Sequence, residues 1–244
     1  MASKIRLYVD HPLAPGQTVP VTPEQAHYLF GVMRLTVGAV VSLFNGRDGE
    51  WDASVVTAGK RGGVLRVDAQ TLPLLLPPDL WLCFAPLKKA RTDFVVEKAV
   101  EMGVARIVPV QTDFTNAERL RADKVRAHVI EATEQCGATF VPEVAEVVKL
   151  SRLLDDWPTG RRIMFCDEGL RGRDSVQFGA LTSDTAGPWA ILIGPEGGFS
   201  PAERARLEGL DYAHPVSLGP RILRADTAAV AALTLWQSTL GDWR

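Results

Sequence analysis

Two short stretches carry the residue types that do chemistry. The first, Ile193 to Ser200, reads Ile-Gly-Pro-Glu-Gly-Gly-Phe-Ser; the second, Leu218 to Ala228, reads Leu-Gly-Pro-Arg-Ile-Leu-Arg-Ala-Asp-Thr-Ala. Gly194, Gly197 and Gly198 let the backbone pass close to a ligand and leave N–H groups free to bind it. The order of the glycines is not the G-x-G-x-x-G of a dinucleotide fold, and the lysine of a P-loop is absent, so neither nucleotide site is supported. A tight turn with no ligand is the alternative for this segment. The second stretch brings two arginines and an acid, Arg221, Arg224 and Asp226, which suit anion stabilisation and proton transfer. Asp226 or Thr227 serves equally well to cap a helix.

Both stretches sit between an apolar run and a helix signal. From Leu80 onward, strands at Leu80 to Ala85, Ile107 to Val110, Arg162 to Cys166, Ala190 to Ile193 and Pro215 to Leu218 alternate with helices. The helices are expected at Thr92 to Met102, Ala122 to Gln135, Ser175 to Leu181, Ser200 to Leu210 and Ala225 to Leu240. In the first of these Phe94, Val95, Ala99 and Met102 point inward and Gly103 is the stop; Ser200-Pro201-Ala202-Glu203 is a capping box. Such alternation implies an α/β fold with a mostly parallel sheet that binds ligands at the carboxyl ends of its strands. The loops after Cys166, Ile193 and Leu218 are therefore the expected site.

The first 72 residues have a different rhythm. Thr22-Pro23-Glu24-Gln25 is a capping box that opens a helix running through Ala26 to Leu35. Ala39 to Phe44, Trp51 to Ala58 and Val64 to Leu72 alternate like strands around turns at Asn45-Gly46 and Gly59 to Gly63, which predicts a small antiparallel barrel or sandwich. Pro73, Pro77 and Pro78 interrupt the pattern, so the expected domains are 1–72 and 73–244.

Composition narrows the class. With 46% hydrophobic and 23% charged residues the chain can bury a full core, and no apolar run approaches the roughly 20 residues of a membrane span. The N-terminus lacks the apolar core of a signal peptide, so the expected compartment is the cytoplasm. Cys83, Cys136 and Cys166 are odd in number and widely spaced, as for reduced thiols, and no ligand spacing supports a metal. The net charge of −2 does not advertise a nucleic-acid binder. Residues 86–126 nevertheless hold nine Lys/Arg against six Asp/Glu, whereas residues 127–184 hold six against ten. That leaves open both a local basic face and plain solvation.

The paired motifs resemble the ribosomal small subunit RNA methyltransferase E family. Upstream, Lys88, Arg91, Asp93, Glu97, Lys98, Glu101, Gly103 and Val104 are similar to its K-x-x-R-x-D/E-x-x-x-Q/E-K-x-x-E-L/M-G-V helix. Glu131 to Gly137, Val141 to Glu143, His27 to Arg34 and Phe44 to Gly46 extend the likeness over essentially the whole chain. One position departs, Ala138 standing where the pattern has arginine.

The resemblance implies a C-terminal SPOUT domain with a deep trefoil knot from about Arg162 onward, a rare exception to unknotted chains. It further implies an N-terminal PUA-like RNA-binding β-barrel, a homodimer, and methylation of uridine N3 in 16S ribosomal RNA of the small subunit. S-adenosylmethionine would sit bent against the backbone of Leu192, Gly194, Gly197, Leu218, Gly219, Ile222 and Leu223, with Glu196 beside it and the turn from Phe165 to Glu168 as a third wall. For the chemistry, Arg224 is the candidate to stabilise the uridine anion and Asp226 or Glu196 to take the proton, Glu196 serving alternatively to balance the sulfonium. Arg34, Lys88, Arg91, Arg119 and Arg121 are the candidate RNA contacts. The competing readings are an inactive RNA-binding or ribosome-assembly factor of the same fold, with Ala138 marking lost activity, and a metabolic enzyme for a phosphorylated small molecule.

Overall fold

The computed structural model describes residues 5–116, 120–170 and 187–243, which form two compact units. The first comprises residues 1–76 with 133–141, the second 77–132 with 142–244.

The first unit is a five-stranded sheet of β1 (Arg6–Tyr8), β2 (Thr18–Pro20), β3 (Val40–Phe44), β4 (Glu50–Gly59) and β5 (Gly62–Leu72), in the order β1-β3-β4-β5-β2. All pairs are antiparallel except β1 with β3. Period-two alternation sends Val41, Leu43, Ala53, Val55, Leu65 and Val67 to one core. The expected helix starts where its capping box places it: Thr22 Oγ1 accepts from Gln25 N–H and Gln25 Oε1 accepts from Thr22 N–H. It runs as α1 only over Pro23–Ala26, then widens into a π turn over His27–Val32 that ends on Arg34 with φ +55°. The wider turn buries Leu29 and lays Phe30 over Gly63, where a Cβ would come 2.5 Å from the ring.

Residues 133–141 join this unit through Arg6. Its guanidinium donates to the carbonyls of Thr133, Glu134 and Ala138 at 2.6 to 2.9 Å and to Glu50 Oε2 at 2.7 Å, and it lies over the Phe44 ring. Ala138 thus contributes its carbonyl.

The second unit is an all-parallel sheet in the order β12-β10-β11-β6-β7-β8, with β9 also pairing β7. Its strands are β6 (Leu80–Phe84), β7 (Arg106–Gln111), β8 (Glu143–Val144), β9 (Val148–Lys149), β10 (Arg162–Cys166), β11 (Trp189–Ile193) and β12 (Ala213–Val216). β11 is buried at every residue, as a central parallel strand covered on both faces must be. Helices α2 (Lys89–Glu101), α3 (Ala122–Cys136), α4 (Leu150–Asp155), α5 (Pro201–Glu208) and α6 (Ala225–Thr239) complete it.

α2 stops at Gly103, φ +72°, and Gln237 of α6 donates to the Met102 carbonyl at 2.6 Å to lock the two helices together. One expectation fails here: α2 buries Thr92, Val95, Val96, Ala99 and Val100, and Phe94 is exposed. Phe94 sits one residue off that stripe, where the helical repeat turns it outward. The helix expected at Ser175 to Leu181 lies outside the described residues, as do residues 171–186 of the stretch expected to form the knot. No helix of the described residues is long and apolar enough to cross a membrane.

The turn after β3 carries a titration. Asn45 Nδ2 and Leu13 N–H both donate to Asp48 Oδ2, at 2.6 and 2.9 Å, and these bonds hold the Asp48 carboxyl below the usual aspartate range, the Asn45 bond most strongly. A depressed folded-state pKa adds stability above the unfolded pKa and loses it as pH falls through the folded value. In thermal melts the gap in Tm between wild type and Asp48→Asn should therefore be full at neutral pH and shrink below about pH 4; a gap independent of pH would contradict this.

Candidate active site

Parallel pairing in register sets the site. Phe165 is level with Leu192, Cys166 with Val216 and Ile193 with Phe84, so β10, β11, β12 and β6 all end at one edge of the sheet. The loops that leave them converge on a cleft of about 680 Å³, its open mouth included. One wall is Cys166, Asp167 and Glu168, the second Ile193 to Glu196 with Gly198 and Phe199, and the third Val216 to Gly219 with Arg221 to Leu223, closed by Ala225 and Ala228 of α6.

Each wall has a local cause. Ser200 caps α5 with Glu203 in reciprocal hydrogen bonds, and its hydroxyl is bound to Asp113 Oδ2 at 2.5 Å, which anchors the far end of the glycine loop. Gly198 has φ +68°, and a Cβ there would come 2.7 Å from Glu168 Oε1. Gly219 has φ +111° with open space where a Cβ would be, so the backbone itself faces the cleft. Phe199 packs edge-on against Phe165 behind the loop.

The candidate side chains come together around Arg91. In α2, Thr92 Oγ1 exchanges hydrogen bonds with the backbone N–H and C=O of Leu87, both at 2.9 Å, fixing the start of the helix. Arg91 then reaches Glu196 Oε1 with Nη1 at 2.9 Å and Asp226 Oδ2 with Nε at 3.7 Å. One guanidinium joins the glycine loop to the first turn of α6. Asp226 Oδ1 also accepts from Thr227 N–H at 2.9 Å, but neither Asp226 nor Thr227 is the cap expected for this helix: Arg224 holds the N-cap position without a side-chain cap bond, and Asp226 lies in the first turn. Arg224 is the exposed N-cap of α6, and no ion pair holds its side chain among the described residues.

Of the expected cofactor contacts, Gly194, Glu196, Leu218, Gly219, Ile222 and Leu223 line the cleft. Phe165, Leu192 and Gly197 are not among its lining. The first two are buried in the core under α4 and α5, and the missing Cβ of Gly197 points at Phe114. Of the expected RNA contacts, Arg91 is occupied by the two acids, Arg121 is paired with Asp123, Lys88 and Arg34 are exposed, and Arg119 lies outside the described residues. Val216, Ala225 and Ala228 were not singled out from sequence, and Asp167 only within the turn from Phe165 to Glu168; strand register sets Val216 level with Cys166, next to Asp167, and the helical repeat brings the other two.

A flat, partly apolar ligand with polar edges fits this cleft. Ile193, Val216, Leu218, Leu223 and Ala225 supply apolar surface, the glycine backbones supply hydrogen bonds, and buried Asp167 Oδ2 lacks a partner among the described residues.

Residues 75–237 match the family described as RNA methyltransferase domain, and residues 21–68 the family described as RNA methyltransferase PUA domain. The chain is 28% identical over 229 residues to ribosomal RNA small subunit methyltransferase E of Rickettsia conorii, covering 93% of each protein. It is 30% identical over 175 residues to the protein of that name from Aquifex aeolicus, covering 68% of this chain and 72% of that one. The crystal structure of ribosomal RNA small subunit methyltransferase E from Neisseria gonorrhoeae bound to S-adenosyl methionine superposes with a TM-score of 0.86 at 26% identity, over 99% of this chain and 100% of that one. A Legionella pneumophila protein described as a methyltransferase, in complex with the bound cofactor SAM, gives 0.86 at 28% identity and the same coverage.

Cys166 stands half-buried in the cleft wall, and desolvation there pushes its thiol up to about 12, as full burial does for Cys83, so both stay protonated at neutral pH. Cys136 is exposed. Iodoacetamide at about pH 8, near the ordinary thiol pKa, should label Cys136 in the native protein and reach Cys83 and Cys166 only after denaturation, as read by peptide mass spectrometry. Native labelling of Cys166 would contradict the assignment.

Proposed function

Because the chain belongs to the RNA methyltransferase family, and within it to ribosomal RNA small subunit methyltransferase E, we propose that it methylates N3 of a uridine in 16S ribosomal RNA of the small subunit. It is an S-adenosylmethionine-dependent enzyme acting on RNA. The observation that carries the reading is the three-walled cleft with two carboxylates and a free arginine beside it.

S-adenosylmethionine supplies an activated methyl group on a sulfonium centre, so the chain's own work is orientation and handling of one proton. The glycine backbones of Gly194 and Gly219 allow close approach, and the apolar wall excludes water. Uridine N3 carries a proton at neutral pH and needs an acceptor. Asp226 is committed to Thr227 N–H and to Arg91, whereas Glu196 uses Oε1 for Arg91 and is half-exposed. Glu196 is therefore our choice to accept the proton, with Asp226 and Arg91 holding it in place. Arg224, at the N-cap of α6 and unpaired among the described residues, stabilises the uridine anion.

Arg34 and Lys88 contact RNA phosphates in this reading, the enzyme works as a cytoplasmic homodimer, and the acidic net charge of −2 makes the assembled subunit a better substrate than free RNA. The inactive-factor alternative rested on Ala138, whose carbonyl still serves Arg6 and which is not among the residues lining the cleft.

The test is incubation of the protein with S-adenosylmethionine and small subunits from a strain lacking the activity, followed by digestion and mass spectrometry for 3-methyluridine. One modified site is expected, with free 16S RNA methylated far less. Arg224→Ala should lower the rate by about 10²–10³, as for loss of one oxyanion-stabilising donor, and Arg91→Ala should lower kcat more than it raises KM. Subunits that bind without gaining the nucleoside would overturn the reading.

A further inference from the structure

Asp167 is the first residue beyond β10, and it ties the first wall of the cleft to the third and to α5, the helix that follows the second. Its backbone N–H donates to the Val216 carbonyl at 3.1 Å, holding the loop after β10 to the end of β12. Its side chain, 1% exposed, gives Oδ1 to Arg204 Nη2 of α5 at 2.9 Å and to Gly169 N–H at 2.8 Å. Gly169 is needed for this: a Cβ there would fall 1.7 Å from Arg204 Nη1. The arrangement is a built one, and it leaves Oδ2 buried in the cleft wall with no hydrogen-bond partner among the described residues.

A carboxylate accepts hydrogen bonds and donates none. A buried oxygen left unmet is costly, and nearly all such atoms in folded proteins find a donor. The missing donor is therefore expected from whatever fills the cleft. The charge of Arg204 limits what that donor is. The guanidinium already balances the carboxylate, so a second cation at Oδ2, such as the ammonium of an amino acid, would meet a like charge at close range. A neutral hydroxyl does not. The flat base of an adenosyl group belongs against the apolar wall of Ile193, Val216, Leu218 and Leu223, and a carboxylate is the usual partner of a ribose hydroxyl in α/β folds.

We propose that Asp167 Oδ2 accepts a hydrogen bond from a ribose hydroxyl of the cofactor, with Arg204 and Gly169 fixing the carboxylate for that purpose. This rests on the methyltransferase reading and adds to it the residue that reads the sugar. The same contact couples cofactor binding to the junction of the loop after β10 with β12 and α5.

Calorimetric titration of the full chain with S-adenosylhomocysteine and its 2′-deoxy and 3′-deoxy analogues tests it. Wild type should bind the parent and lose about ten- to a hundredfold with one deoxy analogue, the range for a hydrogen bond to a charged group. Asp167→Ala should bind the parent more weakly by a similar factor and lose no more than about twofold on removal of the same hydroxyl, since the two changes delete one interaction. Equal binding of all three compounds by wild type, or full sensitivity retained in Asp167→Ala, would overturn the proposal while leaving the methyltransferase reading intact. Failure of wild type to bind the parent would overturn both. If the alanine variant does not fold, as judged by melting, the wild-type series decides alone.

Discussion

Parallel strands paired in register must finish at the same edge of their sheet, and the site of this protein follows from that constraint. β6, β10, β11 and β12 end level, so four loops from distant parts of the sequence are delivered to one place. Covering both faces of the sheet with helices favours apolar strands, most fully in β11, which is buried at every residue. Among the described residues that line the cleft, most polar groups come from the loops. That division of labour explains why the cleft has apolar floors and backbone edges, with few side chains carrying charge.

Charges at this edge are held in pairs. Arg91 spans Glu196 and Asp226, and Arg204 holds Asp167. Each pair also joins two elements that the sheet alone would leave independent: α2 to the glycine loop and α6, and α5 to the loop after β10. At the opposite edge, Arg161 is buried over the Trp81 ring, bonded to both oxygens of Asp79. A buried guanidinium of this kind is stabilising only while its partners are present. These paired arginines therefore act as cross-links, whereas Arg221 and Arg224, both exposed and without such a pair among the described residues, stand apart as the arginines of these loops available to a substrate.

Much of this was legible in the residues. The two glycine-bearing segments, their position between strand and helix, the capping boxes at Thr22 and Ser200, and the change of rhythm after Leu72 each follow from local physics, and each has its counterpart in the structure. What was not legible depends on contacts between residues far apart in sequence. Nothing local tells that Arg6 bonds the carbonyls of Thr133, Glu134 and Ala138 and so brings residues 133–141 into the first unit. Nor does it tell that Arg91 faces two acids, when a basic run reads equally well as an RNA face. The π turn after Ala26 came from tertiary packing of Leu29 and Phe30 overriding a sound helix signal. Phe165 and Leu192 entered the expected site through the family resemblance, which sets the cofactor against backbone there, and what the resemblance did not tell is that their side chains pack in the core.

The central claim is that the three loops form the cofactor cleft and present it to Arg224 and Glu196. A crystal structure of the full chain with S-adenosylhomocysteine tests it most directly. The account expects the adenosyl group between the loops at 194–199 and 217–223, with the sulfur on the side of Arg224 and Glu196. Density elsewhere, or with the sulfur turned away from those residues, would contradict it.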